Sequence, residues 1–472
     1  MTVIVEAPGI RRAEREYIIS TVLGDFLGLD WKLQVHGRAD VRITLSDQPG
    51  KELSFPDCLL GIDPESWLTA ASLPEQPLGA WDVNELRLEI PLTEPVVPII
   101  YGDAASVALC KHNLIKLPVD IFGSAFFMIT RYEELVTPDR DDHDRFPAWA
   151  SLAYKEGFLE RPIVDEYVEI LWSAMNSLWP GLFRKTRSFE IKVSHDVDRP
   201  SRYLFGSVNR FMRSIVGDLI KRGDIRRMMY APLVRWGTPE NLHPADPFNT
   251  FEWIMDVSED YGLQSAFYFI CGRTDQTMDA DYDVEHPAIR ALIRRIHERG
   301  HEIGLHPSYN TYLDPAALEA EAKRLWAVCE DEGIQQQAWG GRMHYLRWRQ
   351  PTTLAAWESA GMAYDSTMGY ADHVGFRSGV CREYPAFDLI ARNKLRLRIR
   401  PLIVMECTVL SPKYMATVSP EAAAQRIVRL KEICERFSGE FTMLWHNSEL
   451  VTPRRKGVYR QCLRGISGTV EE

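Results

Sequence analysis

The sequence predicts an α/β protein: a (β/α) barrel of roughly seven units, distorted in shape, preceded by an α+β domain. Three observations lead there. From Ser188 onward, short apolar runs alternate with amphipathic helical stretches, the pattern of a parallel sheet with crossover helices. Before Arg187, strand-like and helix-like stretches mix without a strict βαβ rhythm. At 472 residues the chain is too long for one ordinary domain. The expected division is 1–187 for the first domain, 188–455 for the barrel and 456–472 for a tail.

In the first domain, Ala13 to Leu29 has helical apolar spacing. Trp31 to His36 and Val41 to Leu45 look like strands, and Val96 to Tyr101 is a short buried one. Ile121 to Leu135 reads as one helix and Val164 to Leu178 as another. Between them, Pro138 to Phe146 alternates in charge sign, which favours a salt-bridged surface turn over a metal loop. No motif in this domain attaches to chemistry, and a scaffold or substrate-shaping role is expected.

The barrel begins with a strand from Phe189 to Asp198, stopped by Arg199-Pro200. A helix over Pro247 to Tyr261 leads to a strand over Gln264 to Ile270. Pro287 to Arg299 carries Ile289, Leu292, Ile293 and Ile296 at helical spacing, with Gly300 at the C-cap. His301 to His306 is a third strand and Pro315 to Asp331 a helix. Gln335 to Gly341 reads as a strand, and Pro351 to Ala360 as a helix closed by Gly361. Ala363 to Thr367 and Leu402 to Thr408 are strand-like; a long helix over Pro420 to Phe437 precedes the last strand, Phe441 to His446.

Composition bounds the function. The formal charge of −11 argues against a general nucleic-acid binder. The first residues lack the basic, apolar, small-residue order of a signal peptide, and no apolar run is long enough for a bilayer span. The eight cysteines are scattered with no CxxC pair, as reduced core thiols are. A cytoplasmic location is expected.

Ionisable residues collect where the strands end: Asp196 and Asp198, then His306, then Arg342 and His344, then Asp365, and last His446. In a barrel such ends converge on one mouth. Asp196 and Asp198 are two apart and share a face, with His195 on the other. Two adjacent carboxylates persist most easily beside a cation or around a shared proton.

In this order the residues resemble the polysaccharide deacetylase superfamily, the NodB-homology fold of carbohydrate esterases, over about residues 188 to 452. The motifs are His195-Asp196-Val197-Asp198, Gly300-His301-Glu302-Ile303-Gly304-Leu305-His306, Gly341-Arg342-Met343-His344-Tyr345 and Leu444-Trp445-His446-Asn447. The first domain, with Phe126 to Glu134 and Asp141 to Phe146, is similar to the amino-terminal region of a bacterial branch of that superfamily.

The resemblance implies a deacetylase-like barrel with a divalent metal, zinc first and cobalt, nickel or manganese after it. It implies removal of an acyl group, acetyl foremost, from an N-acylated sugar, as in surface polysaccharide biosynthesis. By position Asp196 would be the general base, Asp198 and His306 metal ligands, Arg342 the orienter of the base, and His446 the general acid. The usual second histidine, four residues after the first, is replaced by Asn310, and Val197 separates aspartates that are usually adjacent. Asn310 is therefore the candidate third ligand, with His344 or Asp365 in reserve. A non-catalytic carbohydrate-binding protein and a metal-independent small-molecule amidase are the alternatives.

For substrate contacts, His344, Tyr345, Asp365, Tyr370, Arg377 and Trp445 are the candidates, and the partner would be a carbohydrate or a carrier-linked sugar. Residues 199–246 form a basic, amphipathic helical insertion. It reads either as helices packed over the barrel, with arginines outward, or as a peripheral contact with an anionic membrane or a carrier pyrophosphate.

Overall fold

The structure is a computed structural model that describes residues 1–464 apart from 85, 104, 106–108, 223–224, 238–239 and 418. The side chains of 110, 218–219 and 221–227 also lie outside the description, and with them Leu219, Lys221, Arg222, Arg226 and Arg227 of the insertion.

The fold is mixed α/β. Its larger sheet has nine strands in the order Tyr384–Asp388, Asn393–Ile399, Tyr364–Asp365, Gly340–Gly341, Glu302–Leu305, Ser265–Phe269, Glu190–Val197, Glu440–Leu444 and Val404–Met405. All neighbours run parallel except the first pair, a hairpin. Backbone bonds from Arg400 N to Asp365 O (2.9 Å), Leu402 N to Met368 O (2.9 Å) and Ile403 N to Thr442 O (3.1 Å) lead the chain from one side of this order to the other. Both faces of the central strands are covered, which is why Phe267, Phe269, Ile303, Leu305, Phe441 and Met443 are all buried.

Residues nearer the amino terminus build a second sheet, ordered Trp31–Val35, Val3–Ala7, Asp40–Leu45, Gln48–Pro56, Leu114–Lys116 and Leu109–Lys111. Helices Arg12–Ile19, Ile121–Ile129 and Ile163–Leu178 accompany it, and one apolar core runs on into the larger sheet.

Several expected elements differ from those observed. The strand expected over Gln335 to Gly341 shrinks to Gly340–Gly341, because a side chain takes the backbone's place. Gln336 Oε1 accepts from Ile303 N (2.6 Å) and its Nε2 donates to Ile303 O (2.8 Å). Leu402 to Thr408 is a strand only at Val404–Met405, then turns into a helix, Glu406–Leu410. The hairpin over Tyr384–Asp388 and Asn393–Ile399 was not expected: its turn is set by the Asp388 carboxylate accepting from Ile390 N and Ala391 N, not by a Gly-containing pair. The expected tail is structured as far as Leu463. Thr452 and Pro453 start a helix, Pro453–Leu463, that buries Tyr459 against Trp445; residues 465–472 lie outside the description.

The helix expected over Ile121 to Leu135 breaks into Ile121–Ile129 and Tyr132–Val136 at Arg131, whose φ is 54°. That break aims a guanidinium into the interior. Arg131 donates to Glu134 Oε1 (2.7 Å), Glu133 Oε1 (2.6 Å) and Tyr370 Oη (3.0 Å). Arg377 donates to both Glu134 oxygens (2.9 and 2.6 Å). Tyr370 and Arg377, expected as sugar contacts at the mouth, are thus buried in an ion network that ties the two parts of the chain together. Burial pushes the Glu134 carboxyl up, but Arg377 and Arg131 outweigh it and hold it below its ordinary range.

Glu134→Gln leaves two buried guanidinium groups short of a charge and should cost about 3–5 kcal/mol in urea unfolding at neutral pH. Because the folded-state value is depressed, this contribution is present above an unfolded value of about 4.3 and is lost as pH falls through the folded one. The gap between wild type and variant should close in acid; a small, pH-independent gap would refute this account.

Candidate active site

The first strand of the larger sheet, Glu190–Val197, delivers Asp196 and, just beyond its end, Asp198. Strand alternation turns His195 to the other face, where its Nδ1 meets Trp445 O at 2.6 Å and its ring stacks on Phe267. His306 follows the strand Glu302–Leu305, and Arg342 follows Gly340–Gly341. A glycine is needed at 341, where a Cβ would stand 1.8 Å from Leu305 O. The chain then turns sharply through Tyr345 and Leu346 (φ 61° and 56°), which returns His344 and Tyr345 to the cleft.

Arg342 is fully buried. Its Nη1 donates to Asp196 Oδ1 (2.8 Å), its Nη2 to Ser194 Oγ (2.8 Å) and Ser366 Oγ (3.0 Å), and its Nε to Ser366 O (2.9 Å). With its other donors fixed by the serines, this guanidinium holds the Asp196 carboxylate in place.

Asp198 is faced by three imidazoles. His306 Nε2 lies 3.2 Å and His344 Nε2 3.6 Å from its Oδ1, and His446 Nε2 lies 3.6 Å from its Oδ2. All three rings are oriented from behind, through Nδ1. His306 Nδ1 is 2.6 Å from Arg342 O, and a carbonyl can only accept, so the proton sits on Nδ1 and the lone pair of the neutral ring points at Asp198. His344 Nδ1 is 3.0 Å from the buried carboxylate of Asp279, with the same consequence. Asp198 Oδ1 is buried, and no described donor is directed at it. The candidate ligand atoms of Asp198, His306 and His344 lie within 4.8 Å of one another. With both rings neutral, a carboxylate oxygen and two imidazole lone pairs would face one point, a donor set that suits a divalent cation of the zinc type. Burial favours the neutral acid at Asp198, but His344, His306 and His446 outweigh it and hold the carboxyl well below the usual range.

Asn310 is not brought to this point. Its side chain accepts from Arg347 Nη1 (3.0 Å) and donates to Thr274 O (3.2 Å) at the surface. His344, not Asn310, joins Asp198 and His306 in the candidate ligand group. Its signal was available, since it lies two residues beyond Arg342 at a strand end, but only the turn at Tyr345 shows which way it points.

Across the cleft, His446 follows the strand Glu440–Leu444, and its Nδ1 lies 2.6 Å from Glu406 Oε1. Burial would strip the proton from this ring, yet the facing Glu406 carboxylate outweighs it and keeps His446 protonated well above the ordinary range. Glu406 and Cys407 with His446 form a second group of ligand types. Its ring nitrogen is already hydrogen-bonded to Glu406, so it reads as an oriented histidine rather than an open cation site. Glu406 carries no signal in the sequence, because the apolar run Leu402 to Thr408 has the pattern of a strand, whereas the chain turns into a helix at this residue.

Asp196, Asp198, His306, His344, Tyr345 and His446 line one cleft of about 230 Å³. Its wall also includes Arg145, whose Nη1 donates to Tyr345 O (2.8 Å) and whose guanidinium pairs with Asp141 (2.7 Å). The charged run at 138–146 is thus a salt-bridged turn, but one that packs on the cleft. Asp365 and Trp445 do not reach the cleft. Asp365 is fully buried, accepts from Thr367 N (2.8 Å), and is pushed up to about 6 by burial. Trp445 is buried edge-on against Tyr459 at 5.3 Å.

A family of unknown function (DUF7033) matches residues 3–180. No curated protein matches the chain. Among solved structures, the chain is similar to a protein from Mycobacterium smegmatis provisionally assigned as a polysaccharide deacetylase, with 17% identity, 59% of this chain and 84% of that one covered, and a TM-score of 0.37. Agd3, titled a carbohydrate deacetylase, shows 10% identity over 95% of this chain and 80% of its own, with a TM-score of 0.31. PuuE allantoinase shows 11% identity over 60% and 85%, with a TM-score of 0.35.

Proposed function

We propose that the chain is a metal-dependent hydrolase that removes an acyl group, acetyl foremost, from an N-acylated sugar, with surface polysaccharide precursors as the substrate class. We read the larger sheet as a distorted barrel of about seven units whose strand ends form the mouth, with residues 1–187 as a separate domain bracing it. One observation carries the reading: the Asp198, His306 and His344 cluster has an arginine-held carboxylate on one side and a carboxylate-held histidine on the other.

A divalent ion held by Asp198, His306 and His344 would acidify water and polarise an amide carbonyl. The chain's own groups then have clear tasks. Asp196, held in place by Arg342, takes the proton from the attacking water. His446, charged because Glu406 faces its Nδ1, presents Nε2 to the cleft and delivers a proton to the leaving amine. Tyr345 walls the cleft beside His344, where a sugar ring would lie.

Elemental analysis should find near-stoichiometric metal in the wild type and little in Asp198→Ala, His306→Ala or His344→Ala. Asn310→Ala should retain it, and Asp279→Asn should weaken affinity about 10–100-fold. Wild-type protein that stays metal-free in excess zinc, cobalt, nickel or manganese would sink the reading.

Acetate release from N-acetylated amino sugars is the matching assay. Asp196→Asn and His446→Ala should each lower kcat by about 10²–10⁴-fold while metal content stays intact. Turnover that survives chelator would point to metal-independent amidase chemistry instead.

A further inference from the structure

The large apolar side chains left exposed are not spread evenly over the chain. Val208, Met212, Val216 and Ile220 lie on the helix Val208–Arg222, and Met229, Tyr230, Leu233 and Trp236 on the helix Ile225–Trp236. The first four recur every fourth residue and so share one face. Met229, Leu233 and Trp236 recur at four and three, again on one face. Their exposure is high: 76% for Ile220, 68% for Met229 and 69% for Trp236.

Apart from Trp236, whose ring edge also meets Phe211 at 5.3 Å, these residues are not the ones that join the helices. Phe211, Ala231 and Val234, with Tyr203, form a small buried cluster of their own, and Leu204 and Ile215 pack against it. Each helix therefore has one apolar face turned to its neighbour and a second turned to water. An apolar surface of this extent on a two-helix projection calls for a cover.

Charge indicates which cover. Residues 208–236 hold seven Lys and Arg against two Asp, inside a chain whose formal charge is −11. Arg213 is exposed on the first helix beside the stripe, whereas Arg210 lies on the far side and pairs with Asp281. A second copy would set two strongly positive hairpins against each other, whereas an anionic lipid surface complements the charge and accepts the apolar stripe. No described helix is long and apolar enough to cross a membrane, so the geometry is that of helices lying in the interface.

We propose that the helical hairpin 208–236 docks the protein on an anionic lipid bilayer, with Met212, Ile220, Met229, Leu233 and Trp236 entering the boundary between headgroups and acyl chains. The hairpin begins ten residues after Asp198, and Arg210 shares a cleft wall with Asp198 and His344. Docking therefore sets that cleft beside the lipid surface. The inference is independent of the hydrolytic reading, because binding is measured without turnover.

The test is flotation of the full-length protein with vesicles of phosphatidylcholine alone and of phosphatidylcholine with phosphatidylglycerol, each at low and high salt. The protein should float with the anionic vesicles, less so at high salt, and poorly with the neutral ones. The double variant Ile220→Ser, Trp236→Ser should lower partitioning by at least about tenfold, with circular dichroism and metal content unchanged. Absence from the anionic vesicles, or equal partitioning of variant and wild type, overturns the proposal. A solution dimer that the variant dissolves, without flotation, also overturns it and gives the face to a second copy.

Discussion

The cleft depends on one buried charge, the guanidinium of Arg342. A cation wholly removed from water has to be paired and hydrogen-bonded, and this one is met by Asp196, Ser194 and both oxygens of Ser366. Those contacts tie the ends of two adjacent strands, Gly340–Gly341 and Tyr364–Asp365, to the strand Glu190–Val197, across the two strands that lie between. Because Arg342 engages Asp196, Asp198 is left to the imidazoles, and two carboxylates only two residues apart acquire different surroundings. The Arg342 carbonyl also fixes the ring of His306 through its Nδ1. One residue thereby orients the candidate base and sets the tautomer of a candidate ligand.

A similar economy holds on the other side. His344 and His446 are each held through Nδ1 by a carboxylate, Asp279 and Glu406. The turn through Tyr345 and Leu346 keeps non-glycine residues in the left-handed region, and Arg145 reaches across from the earlier part of the chain to accept part of the task of holding it. The amino-terminal residues are thus joined to the cleft by direct contact. The joint deepens away from it, where Arg131, Glu134 and Arg377 form a buried network, Tyr17 donates to Pro385 O (2.8 Å) and Arg392 pairs with Glu14 (2.6 Å). Buried ion pairs of this kind select one mutual arrangement more than they add stability.

What the sequence by itself determined was periodicity and the residues that punctuate it. Alternation put Asp196 and Asp198 on one side and His195 on the other, and helical spacing with Gly300 and Gly361 bounded the helices closely. The ends of strands at His306, Arg342 and His446 were legible for the same reason, since a polar residue closing an apolar run is a local signal.

What only the tertiary structure decided was everything set by a partner distant in the chain. Gln336 replaces a strand's backbone because Ile303 lies beside it. Tyr370 and Arg377 sit in loops whose sequence looks exposed, yet Arg131 and Glu134, some 240 residues earlier, draw them inward. The choice of His344 over Asn310 turns on two left-handed residues and on Asp279, none of which leaves a periodic trace. Local order is written in spacing, whereas the direction in which a side chain points at a strand's end depends on which charges the fold brings to meet it.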